Sequence, residues 1–222
     1  MSPTLYWFPV SPFARIVRYF ALASGLEHQS VIVDLFKGEQ KSEDFKKVNP
    51  HQMVPALVDG DLHLYESQAI VRYLANKYNS SLLPYSSGAE AVAKIDRDVE
   101  WWLGTVAKPF NGLVFEKVFK PKFGAGATDE TVAAKLEGEL KLALGKANEL
   151  FFKDSSFALG SSLTLLDVVI GVYLSESKII NFDLSAYSKV NAYWEFIKTQ
   201  DSFVAAHNEF WNILQALADE TQ

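Results

Sequence analysis

In the stretch FPVSPFARIV, residues 8–17, Ser11 stands where an apolar run stops, and Pro12 follows it directly. Serine before proline is a common way to begin a helix. The hydroxyl accepts an orphan backbone N–H, and proline at the first helical position has none to satisfy. The same arrangement gathers N–H groups and a partial positive charge at one point, so a foreign anion is favoured there too. Ser67 in ESQAI opens a further helical pattern, with Glu66 beside it. A hydroxyl and the N–H groups of a helix start make a carboxylate receptor. The chain contains no cysteine, which excludes disulfides, thiolate metal sites and a cysteine nucleophile. Any thiol in its chemistry therefore arrives with a ligand.

These residues need elements to hold them. TLYWF reads as a strand; from Pro12 onward Ile16, Val17, Phe20, Ala21 and Leu22 recur at helical spacing, and Gly25 ends the pattern. SVIVDL is a second strand rich in β-branched residues, so the first two strands form a right-handed βαβ unit and run parallel. After a Lys- and Glu-rich segment, PALV and LHLYE flank Asp59-Gly60, a hairpin signal because the turn needs positive φ. Ile70, Val71, Leu74 and Tyr78 then share one face of another helix. The order βαβαββα over residues 1–80 predicts a thioredoxin-like α/β domain. NSSLLPYSSGAE supplies the linker, residues 81–88, and residues 89–222 predict an all-helical domain with breaks near KFGAGATDE, KDSSFALGSSLT and INFDLSAY. There Thr164, three residues before Asp167, reads as a structural capping box.

The composition narrows the function. A net charge of −6 argues against a general nucleic-acid or anionic-membrane surface, and no run reaches the roughly 20 apolar residues of a membrane span. The N-terminal MSPTLYWF has no secretory pattern. The expectation is a cytoplasmic protein acting on small molecules, with no metal site, no nucleic acid and no membrane among its partners.

Thioredoxin-like redox proteins place Cys-x-x-Cys at the first strand-to-helix junction, where the helix start stabilises a thiolate. Here that junction reads Ser11-Pro12-Phe13-Ala14. The ordered set LYWFPVSPFARIV, VDLFKGEQKSEDF, VNPHQMVPALVDGD, LYESQAIVRYLANKY, FEKVFKP, ALGSSLTLLD and YWEFI resembles the glutathione S-transferases of the serine-dependent phi/theta type along nearly the whole chain.

The resemblance implies glutathione as cosubstrate, no prosthetic group, and a hydrophobic electrophile as second substrate. It implies that Ser11 donates to the glutathione sulfur, supported by Arg15 one helical turn on. Other classes of the family use a tyrosine at the end of the first strand, which makes Tyr6 the rival; the Ser-x-x-x-Arg spacing favours Ser11. It implies a cis bond before Pro55, so that Val54 pairs with the cysteinyl backbone of the ligand, and assigns Glu66 and Ser67 to the γ-glutamyl end. Gln40, Lys41 and Met53 fall to the glycyl carboxylate, where the family commonly has histidine in place of Gln40 and glutamine or lysine in place of Met53. Phe115 and Phe119, one helical turn apart, would wall an electrophile pocket between the domains with Phe13, Phe36 and Tyr173. Members of the family are generally homodimers. The alternative is a non-catalytic ligand-binding or structural protein of the same fold.

Overall fold

A computed structural model describes residues 2–152 and 156–219. The chain divides into two compact units. One runs over Met1–Ala91 and resumes at Gln200; the other is Val92–Thr199.

The first unit is built on four strands. β1 (Thr4–Trp7) alternates, with Leu5 and Trp7 buried and Thr4 and Tyr6 half-exposed. α1 (Pro12–Ala23) buries Ile16, Val17 and Phe20 and ends through Ser24 at Gly25, whose φ is +65°. β2 (Gln29–Ile32) pairs parallel to β1, and α2 (Glu43–Val48) starts on the Ser42 hydroxyl, which accepts the Phe45 N–H at 3.2 Å. β3 (Ala56–Asp59) and β4 (Leu62–Tyr65) form an antiparallel hairpin, and α3 (Ser67–Lys77) follows. The sheet order is β2-β1-β3-β4, with β3 antiparallel to β1. The thioredoxin-like order expected from the sequence is therefore present. The hairpin turn is Gly60-Asp61, one residue later than the Asp59-Gly60 signal, because Asp59 still pairs with Leu62 and Gly60 takes the positive φ. Ile70, Val71 and Leu74 face inward as expected, whereas Tyr78 caps α3 in an exposed position. α1 and α2 lie on opposite faces of the sheet: Trp7 packs under Arg18 of α1, and its neighbour Tyr6 meets Phe45 of α2.

The second unit begins inside α4 (Ala89–Trp102), after which a π-helical turn (Leu103–Ala107), α5 (Lys108–Val114), a second π-helical turn (Phe115–Phe119) and α6 (Lys120–Lys122) follow without a break. Pro109 and Pro121 explain the widened turns. Each proline lacks an N–H and crowds the carbonyl four residues back, and those residues, Thr105 and Lys117, are the centres of the two π turns. α7 (Glu130–Leu150), α8 (Leu165–Glu176) and α9 (Ser188–Ile197) complete the unit. α8 is buried on every side. Asp167 ties its start: one carboxylate oxygen accepts the Thr164 N–H and hydroxyl, the other the Ala158 N–H and the Tyr193 hydroxyl, all at 2.7–2.8 Å. The Thr164 hydroxyl thus donates to Asp167, a structural role as expected. Of the three expected breaks, those before α7 and α9 are present, and the one between α7 and α8 covers residues 153–155, which lie outside the described residues.

α10 (Asp201–Asp219) belongs to the first unit. Tyr19 of α1 meets Phe203 and His207 edge-on at 5.6 and 5.9 Å, and the Arg15 guanidinium lies 3.7 Å from the centre of the Phe210 ring. The packing units therefore differ from the expected division at residues 81–88. Helical periodicity marks α10 as a helix, but the face it needs is on α1.

Candidate active site

Strand register brings the candidate residues to one edge of the sheet. Tyr6 pairs with Ala56, Ala56 with Tyr65, and Trp7 with Ile32. The C-terminal ends of β1, β2 and β4 and the N-terminal end of β3 therefore emerge together. From that edge come Ser11 after β1, Phe36, Gln40 and Lys41 after β2, Met53, Val54 and Pro55 before β3, and Glu66-Ser67 after β4. Residues more than 50 positions apart in the chain meet because the sheet is mixed.

Ser11 is the N-cap of α1, with extended backbone, and its Oγ accepts the Ala14 N–H at 3.3 Å. The cap uses an oxygen lone pair and leaves the hydroxyl proton available for an acceptor outside the helix. Tyr6 points to the other face: its ring sits 6.1 Å from Phe45 in a depression shared with Val31 and Val48. Gln40 and Lys41 lie on a 3-10 turn, Glu39–Lys41. Lys41 is exposed, and the Gln40 carboxamide oxygen is buried with no hydrogen-bond partner among the described residues.

The segment before β3 carries the cis Val54–Pro55 bond that the resemblance implied. It is held by Asn49, a buried residue absent from the sequence-based candidates. The Asn49 amide donates to the Met53 carbonyl at 2.7 Å, and its oxygen accepts the His51 N–H at 3.0 Å. Asn-Pro at positions 49–50 was the available signal: asparagine side chains bond the backbone nearby and favour turns. Asn49 thus fixes the Met53 peptide through one lone pair of its carbonyl, and toward a ligand carboxylate, itself an acceptor, the Met53 backbone offers its N–H. Gln52, between them, has φ +56°.

Ser67 is the first helical residue of α3 rather than its cap. The cap is Glu66, whose φ of +68° is strained for a residue with a Cβ and whose side chain makes no capping bond. Its carbonyl accepts the Ile70 N–H at 3.0 Å. The first-turn N–H groups of α3 thus have no side-chain cap, and the exposed Glu66 stands beside them in the chain. Strain of this kind is retained where the surrounding structure enforces it, and it concentrates at functional sites.

Arg15 departs from its expected supporting role. It is fully buried, stacked on Phe210, and it is one of the causes that hold His207 well below the usual imidazole range, second to burial itself. The reason is helical geometry: three residues after Pro12, its side chain leaves α1 on the side that α10 covers. The aromatic set also divides. Phe13 is exposed on α1, and Phe36 packs edge-on against Phe8 at 5.1 Å. In the second unit Phe115 is 49% exposed and Phe119 stacks on Phe123 at 5.9 Å. Tyr173 is 0% exposed, with its hydroxyl accepting from Asn111 at 3.2 Å. It belongs to the core, because α8 has no exposed side, and is withdrawn as a pocket wall.

Residues 5–82 match the family model of the glutathione S-transferase N-terminal domain. The chain is 33% identical to rat glutathione S-transferase theta-2 over 76% of its own length and 69% of the relative's. It is 35% identical to human glutathione S-transferase theta-1 over 76% and 70%. The chain belongs to the glutathione S-transferase family.

The fold agrees. Apo human glutathione S-transferase T1-1 superposes with a TM-score of 0.83 at 28% identity, covering 93% of this chain and 88% of that one. In this glutathione transferase the family match spans all four strands and every loop that reaches the site edge. At this sheet end a capping serine, a cis-proline segment and a strained glutamate are supplied by three separate loops.

Proposed function

We propose that glutathione lies extended along the C-terminal edge of β1 and β2, with its γ-glutamyl end at Glu66-Ser67, its cysteinyl backbone at Val54-Pro55 and its glycyl end toward Gln40, Lys41 and the Met53 N–H. The observation that carries this reading is the order of the loops. Strands lie about 4.8 Å apart, so the edge from β4 to β2 spans roughly 14 Å, and an extended tripeptide is about 10 Å long. Across that edge, an anion receptor with a carboxylate beside it, a thiol-side hydroxyl and a lysine succeed one another as the amine-bearing carboxylate, thiol and second carboxylate do along glutathione.

Ser11 donates its hydroxyl proton to the glutathione sulfur. A free thiol has a pKa near 8.5, so little is ionised at neutral pH. Lowering it by about two units requires roughly 2.7 kcal/mol, within reach of one charge-assisted hydrogen bond plus the field of the α1 N-terminus. The thiol proton goes to water; the sulfur lone pair then forms the new bond to an electrophilic carbon as the leaving group departs with its electron pair. A hydroperoxide oxygen is a second acceptor for the same thiolate: the O–O bond breaks, and alkoxide leaves and takes a proton. A second glutathione then displaces water from the sulfenic acid to give glutathione disulfide. Ser11 stabilises the nucleophile and forms no covalent intermediate. The working state is a cytoplasmic homodimer that removes hydrophobic electrophiles.

The deciding measurement is the ionisation of enzyme-bound glutathione, followed by the ultraviolet band of the thiolate against pH, in Ser11→Ala and in Tyr6→Phe. A raised midpoint in Ser11→Ala alone supports the assignment. A raised midpoint in Tyr6→Phe alone reverses it.

A further inference from the structure

We propose that the free edge of β2 docks an extended segment of another protein, one carrying apolar residues at alternate positions and a lysine or arginine at its flank. β2 is the outermost strand of the sheet. The Gln29 and Val33 N–H groups donate inward to the Pro3 and Trp7 carbonyls, each at 2.9 Å. In a parallel ladder the peptide groups of one strand alternate between its two sides. Those of Ser30 and Ile32 therefore face outward, and each offers one N–H and one C=O. The next outward N–H, of Asp34, is taken by the Glu39 carboxylate at 2.7 Å, which closes the strand beyond Val33.

All four β2 residues are exposed, so no described part of the chain covers this edge. Edge strands are ordinarily blunted by lysine, proline, a bulge or an inward charge. Gln29-Ser30-Val31-Ile32 has none of these, and Val31 and Ile32 are 39% and 51% exposed. Arg18 steadies the strand from the α1 side, donating to the Ser30 hydroxyl at 3.1 Å and meeting His28 at 2.9 Å. On the α2 side a depression of about 390 Å³ adjoins the edge. Tyr6, Val31, Phe45 and Val48 give it an apolar floor.

The chemistry of this edge selects the occupant. Outward peptide groups two residues apart match the repeat of an extended chain and give up to four main-chain hydrogen bonds, while the apolar floor takes alternate side chains. Of the two carboxylates in the lining, Asp44 is paired with Lys47 at 2.6 Å and Glu39 carries the remaining negative charge, so one cationic flank is favoured. A second copy of this chain would bring Glu39 against its own counterpart in a molecule of net charge −6. The proposal stands apart from the glutathione reading, since none of these groups is needed to bind glutathione.

The test uses the full chain and a capped hexapeptide, acetyl-Lys-Ile-Thr-Ile-Thr-Lys-amide, with two isomers N-methylated on alternate residues. An extended strand shows one row of N–H groups to each side, so one isomer should bind at least about tenfold more weakly and the other within about threefold of the parent. Proton exchange at the Ser30 and Ile32 amides should slow on binding, with Val31 and Val33 unchanged. Ile32→Pro, which removes an outward N–H and leaves the β1 ladder intact, should also cost about tenfold or more. If that variant loses its circular dichroism spectrum, the isomers and the exchange data on the natural chain still decide. The proposal is overturned by no binding at roughly 1 mM peptide, by equal loss in both isomers, or by Ser30 and Ile32 amides already protected in the free protein and deprotected on dilution.

Discussion

The Ser11 oxygen can cap a helix and hold a sulfur at once because the two bonds use different parts of a hydroxyl, a lone pair for Ala14 and the proton for the ligand. The roles separate by substitution. Ser11→Ala should lose about 1 kcal/mol of stability, and Ser11→Gly only a few tenths, since glycine is a fair N-cap. Both should raise the midpoint of the bound thiol by up to about two units and lower kcat/KM at neutral pH by roughly 10–100-fold. Thermal unfolding and steady-state kinetics on the pair check this; a Gly variant with full activity would reduce Ser11 to a cap. Serine before proline was readable as a helix start from two adjacent letters. Glu66 was not readable as a strained cap, because nothing in ESQAI calls for positive φ: the neighbouring β4 and α3 impose it. Tyr173 was misplaced for a related reason. Helical spacing says which residues share a face, but α8 is apolar around its whole circumference and presents no face to choose.

Elements carry the positioning. Asn49→Ala leaves the Met53 carbonyl and the His51 N–H without their partner, at a cost of about 2–3 kcal/mol. Because the loosened segment leads to Val54, KM for glutathione should rise more than kcat falls. Asn49→Asp keeps the acceptor and loses the donor, so it should recover only part. α10 sets a pH dependence. His207 is buried against Phe203, with Nδ1 bonded to the Phe203 carbonyl, and burial and then Arg15 hold its pKa well below the ordinary value of 6.5. A group depressed in the folded state gains its proton on unfolding, so its contribution is present above pH 6.5 and is lost as pH falls below it. The slope is at most about 1.4 kcal/mol per pH unit. The charges that face it are Arg15 and, at the far side of the α1–α10 contact, the Arg18–Glu209 pair at 3.9 Å. His207→Phe should flatten the fall in melting temperature between pH 6.5 and 5. Strands and helices of this unit were legible because alternation and helical spacing are local. The two π turns were not. The prolines that cause them were visible, but proline inside a pattern more often ends a helix than widens it.

At the scale of the molecule, ligand binding should be felt as stability. At 100 times its dissociation constant glutathione adds about 2.7 kcal/mol, a rise of roughly 5–10 °C in Tm for a chain of this size. S-methylglutathione, which keeps both carboxylates but gives Ser11 no thiolate, should give a similar shift in Ser11→Ala as in the natural chain. Serine, glycine and proline at residues 81–88 mark the stretch between α3 and α4 and not the division of the packing units, while the family was legible from an ordered set of short motifs. The return of α10 to the first unit was not, because an amphipathic pattern shows that a helix has a buried side and is silent on what it is buried against.

That return gives the chain a timing problem. Val92–Thr199 lies between the two halves of the first unit. At ribosomal rates of about 5–20 residues per second, roughly 7–27 s pass between synthesis of the end of β4 and of the start of the helix that covers Tyr19 and Arg15. For that interval the nascent α1 carries an uncovered aromatic and cationic face. A folding factor that shields α1 would find its target during those seconds and lose it as α10 closes.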